Sequence, residues 1–125
     1  MTVLATFQQT PEGQAAVAAA IAEARLRGTD VVVLSAPAPA GGAAVHTLTD
    51  IDPALDAVGV TVQVRAAVRP DDLAGEVVDL ATELAADLIV IGLRRRSPVS
   101  KVFFGSVAQD VLLNSSVPVL AVRSA

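Results

Sequence analysis

A chain of 125 residues and 12.7 kDa fits one domain, residues 1–125, with no room for a separate catalytic or regulatory unit. At 53% hydrophobic and 18% charged it is too apolar for disorder, yet no apolar run reaches the roughly 18 to 20 residues of a membrane-spanning helix. Nine cations against thirteen anions, three Phe and neither Tyr nor Trp argue against nucleic acid, while zero Cys and one His argue against a metal centre.

Val3 to Phe7 is a short apolar run that reads as a strand. Thr10-Pro11-Glu12 then reads as N-cap, first helical residue and acidic first turn. The helix continues to the basic pair Arg25 and Arg27, and Gly28 stands where a C-terminal cap belongs. Val31 to Leu34 is an uninterrupted β-branched run, the pattern of a strand covered on both faces. Residues Pro37 to Val45 read as a loop, followed by a brief helix around Pro53 to Ala57 that ends at Gly59.

Val60, Val62, Val64 and Ala66 alternate with Thr61, Gln63 and Arg65, as in an edge strand with one better buried face. Leu73, Val77, Leu80, Ala81 and Leu84 recur at helical spacing, with Glu76, Asp79 and Glu83 assigned to a solvated opposite side. Leu88 to Ile91 is a second buried strand ending at Gly92; a helix from about Ser106 to Asn114 and a strand Val117 to Val122 close the chain. Five strands alternating with crossovers predict a doubly wound parallel α/β sheet with helices on both faces. Such sheets bind ligands beyond the carboxyl ends of their strands where the winding reverses, here between Ala5 to Gln8 and the loop after Gly92.

That loop holds Arg94, Arg95, Arg96 and Lys101, and no acid occurs between Asp87 and Asp110. Four cations at a ligand-binding edge make a local anion site against the overall charge, with a solvated basic loop as the plain alternative. Gly105-Ser106 opens the final helix, where free amides and the positive dipole end suit a phosphate; the same pair also serves as a simple cap. His46, in a Gly/Ala loop, is expected to be exposed and without a role. Phe103 and Phe104 are expected to anchor the loop to the core. No general base stands beside Ser106, so the protein is expected not to be an enzyme.

The segment from Gly92 to Ser106 resembles the universal stress protein family, whose nucleotide-binding members carry Gly-x2-Gly-x9-Gly-Ser/Thr before the last helix and strand. Gly92, Gly105 and Ser106 match it; Asp87-Leu88-Ile89-Val90-Ile91-Gly92 and Val117-Pro118-Val119-Leu120-Ala121-Val122 extend the likeness. The resemblance implies strand order 3-2-1-4-5, a cytoplasmic homodimer joined largely through the last strand, and in one subclass an adenine nucleotide such as ATP at the switch point. Gly92, Gly105 and Ser106 carry over from the family motif; with Arg95 or Lys101 of the cation-rich loop supplying charge, and Val107, Gln8 and Thr6 beside them, they make up the expected site. Two positions depart from the pattern: Arg95 replaces the second motif glycine, and Gln8 stands where binding members usually hold an acid. Arg95 either clamps an anion or fills its space; the second alternative gives a dimeric interaction module that binds no nucleotide.

Overall fold

The computed structural model describes residues 2–37, 42–93 and 106–124, and for Ser106 the backbone only. β1 (Thr2–Phe7) leads into α1 (Pro11–Arg27), whose start and stop follow the local chemistry. Thr10 Oγ1 accepts the Gly13 N–H at 3.0 Å, Pro11 takes the first helical position, and Gly28 closes the helix in the left-handed region at φ 66°. β2 (Asp30–Ser35) is buried from Val31 onward, as an unbroken β-branched run requires.

The brief helix expected around Pro53 to Ala57 is not formed. In its place α2 spans Leu48–Ile51, capped by Thr47, whose hydroxyl accepts the Asp50 N–H at 3.2 Å. Pro53 explains the shift, because the residue before proline is driven out of the helical region, and Asp52 is extended at φ −164° and ψ 114°. The carboxylates of Asp52 and Asp56 then accept the N–H groups of Ala54 and Val58, turns that compete with a helix.

β3 (Val62–Ala66) starts two residues later than the alternation suggests; Val62 and Val64 are half-buried and Ala66 is exposed. A turn of 3-10 helix at Pro70–Asp72 runs into α3 (Leu73–Glu83), then β4 (Leu88–Leu93), α4 (Ser106–Asn114) and β5 (Val119–Arg123). Asp79 and Glu83 are exposed as expected, but Glu76 is not on a solvated face: it is only 8% exposed. It lies three residues after Leu73 and four before Leu80, on the buried stripe. Its carboxylate accepts the Val68 N–H at 3.0 and 3.1 Å and the Arg69 N–H at 2.7 Å, which ties the β3–α3 connection to the helix.

All pairings are parallel and the order is β3-β2-β1-β4-β5. Val3, Ala5, Phe7, Val31, Val33 and Val90 face α1 and α2; Leu4, Val32, Leu34, Ile89 and Ile91 face α3 and α4. This alternation buries a sheet covered on both sides and places β1 at its centre, with the winding reversing between β1 and β4.

Candidate functional site

At the point of reversal the carboxyl ends of β1 and β4 lie side by side, and the first turns of α1 and α4 start from the same edge. α4 must start there, because it returns the chain from the end of β4 to the beginning of the parallel strand β5. A helix start carries free N–H groups and a positive dipole end, so this edge suits an anionic ligand.

Gly92 is half-buried on the α1 side of the sheet, and a Cβ built on it would collide with the backbone carbonyl of Glu12. Glycine there lets the first turn of α1 lean over β4, a packing demand that exists without any ligand. Gln8 is exposed, and its carbonyl accepts the Thr10 N–H at 2.7 Å in the turn that launches α1. Thr6 is half-buried one residue before Phe7, and Val107 packs half-buried on the α3 and α4 side. Arg95, Lys101 and Gly105, with Phe103 and Phe104, lie outside the described residues, as does the side chain of Ser106. His46 is exposed.

Sequence reasoning missed a cleft of about 320 Å³ between the β1–α1 turn and α2. Buried Phe7 and Ile51 lie at its base, and Gln9, Thr10, Gln14 and Asp50 supply polar walls. Its size is at the low end of the roughly 300–1,000 Å³ typical of small-molecule sites. Gln14 Nε2 donates to the Ile51 carbonyl at 3.1 Å and so fastens α2 to α1. The Thr47-x-x-Asp50 spacing is the sequence signal that could have found the helix carrying this wall. Beside Phe7 in register, Ser35 keeps a fully buried hydroxyl with no hydrogen-bond partner among the described residues.

Three arginines among the described residues are engaged with carboxylates. Arg25 pairs with Asp56 and Arg27 with Glu23, while Arg69 reaches Asp79 at 2.8 Å and Asp72 at 3.6 Å. The hydrogen bond to Asp79, with the charges of Asp79, Asp72 and Glu76, holds the exposed Arg69 guanidinium above its ordinary pKa. Arg25 and Arg27 also sit at the C-terminal end of α1, away from the carboxyl edge of the sheet. Among the described residues no helix is long and apolar enough to cross a membrane.

The sequence model of the Universal stress protein family matches residues 1–123. A universal stress protein of Mycolicibacterium smegmatis is 36% identical, the match covering 97% of this chain and 96% of that one. The solved structure of a universal stress protein from Archaeoglobus fulgidus superposes with a TM-score of 0.67 at 30% identity, covering 96% of both chains. The structure of the universal stress protein from Archaeoglobus fulgidus in complex with dAMP superposes at 0.63 and 27% identity, over 96% of this chain and 94% of that one. With the sheet order and the match to the family model in agreement, the chain belongs to the universal stress protein family.

Proposed function

We infer that the protein binds an adenine nucleotide without turning it over and acts as a cytoplasmic, homodimeric stress-response protein. The observation that carries this reading is the convergence of two helix starts beside the reversal of winding, at the edge from which the cation-rich segment departs. A related universal stress protein in complex with dAMP supports the ligand class. Phosphate is assigned to Gly105, Ser106 and the first turn of α4, with Arg95 and Lys101 supplying charge, since three of the described arginines are engaged elsewhere. Gln8 and Thr6 offer uncharged hydrogen-bonding groups toward sugar or base, Val107 offers an apolar flank, and Gly92 keeps the backbone low.

Calorimetric titration with ATP, ADP and AMP tests the reading. Micromolar to submillimolar binding accompanied by a rise in melting temperature is expected. Absence of both heat and thermal stabilisation at millimolar nucleotide overturns it. One observation favours a second reading, an interaction module that binds no nucleotide: Arg95 stands where the family motif has glycine. Arg95→Gly separates the two, because binding gained by the variant marks Arg95 as a plug and binding lost marks it as a clamp.

A further inference from the structure

Among the described residues that line the cleft between the β1–α1 turn and α2, Asp50 is the one charged side chain. The Asp50 carboxylate repels a phosphate and attracts a neutral group rich in O–H donors. A carboxylate has two oxygens and accepts two neighbouring hydroxyls at once, the arrangement that a ribose diol presents. The helix holding Asp50 is fixed on two sides. Thr47 Oγ1 accepts the Asp50 N–H at 3.2 Å, and Gln14 Nε2 donates to the Ile51 carbonyl at 3.1 Å. The wall therefore stands in place before any ligand arrives.

The cleft lies at the carboxyl edge where the winding reverses: Phe7 ends β1, and Gln9, Thr10 and Pro11 form the turn into α1.

We propose that Asp50 is the sugar-recognising residue of the nucleotide site, its carboxylate accepting the 2′- and 3′-hydroxyls and giving this chain a preference for ribonucleotides over 2′-deoxyribonucleotides. This rests on the nucleotide reading above. A site built to bond a hydroxyl discriminates against an analogue lacking it, because the polar group is left without its partner. Titration of the full chain and of Asp50→Asn with AMP and dAMP is the test. Expected is about tenfold tighter binding of AMP by the unaltered chain, and affinities within about twofold of each other in the variant at an unchanged melting temperature. Equal affinities in the unaltered chain, or an undiminished preference in Asp50→Asn, overturn the role of Asp50 while the nucleotide reading stands. Failure of the unaltered chain to bind either nucleotide overturns both.

Discussion

Glu76 is the side chain whose removal the fold should feel most sharply outside the apolar core. Its carboxylate receives N–H groups from two successive residues, Val68 and Arg69, at the entrance to α3. Glu76→Gln keeps the shape but turns one acceptor into an NH2 that faces those donors. We expect a loss of about 1–3 kcal/mol, measured as a lower urea midpoint at unchanged slope. The residue also marks where reading by type and spacing fails: Glu83 stands seven residues after Glu76 on nearly the same helical face, yet only Glu76 is buried, because the β3–α3 connection packs over it. Gly92 teaches the converse. Its match to the first glycine of the family motif was legible, but its close approach to the Glu12 carbonyl belongs to helix packing and depends on a long-range contact that no local pattern encodes.

α1 was legible from end to end because every signal agreed: Thr10 before Pro11, an acid in the first turn, basic residues in the last and glycine after it. α2 was not, because its four residues, Leu48–Ile51, are too few to show a helical period, and Pro53, at the head of the expected helix, in fact follows the end of one. These two elements should respond differently to loss of their caps. Thr10→Ala removes the acceptor for Gly13 N–H from a seventeen-residue helix and should lower global stability by about 1 kcal/mol. Thr47→Ala should leave the denaturation midpoint nearly unchanged, since α2 is short and at the surface. It should instead raise hydrogen exchange at residues 48–52 and loosen the cleft wall that carries Asp50.

At the scale of the molecule, the sequence alone indicated a doubly wound sheet, while the order of its strands came from resemblance; the pairing β3-β2-β1-β4-β5 agrees with both. That order leaves β5 at an edge, joined to β4 on one side, with Val119 and Ala121 half-buried on one face and Leu120 and Val122 on the other. A strand apolar on both faces and open along one edge invites a second copy of the chain. The neighbouring helix adds to this surface. Asp110 and Asn114 of α4 line a groove with α3, and Val111 is fully buried toward the sheet, so Leu112, 40% exposed, lies on the flank away from α3 and toward the open edge of β5. The chain should therefore sediment at twice 12.7 kDa. Leu112→Lys should raise the dissociation constant by about tenfold or more, because closing the interface would strip water from an unpaired ammonium. Leu26→Lys is the control: Leu26 is 82% exposed near the far end of α1, and a charge there should leave both mass and melting temperature unchanged. A dimer that tolerates Leu112→Lys as well as it tolerates Leu26→Lys would move the contact away from β5 and its adjoining helix.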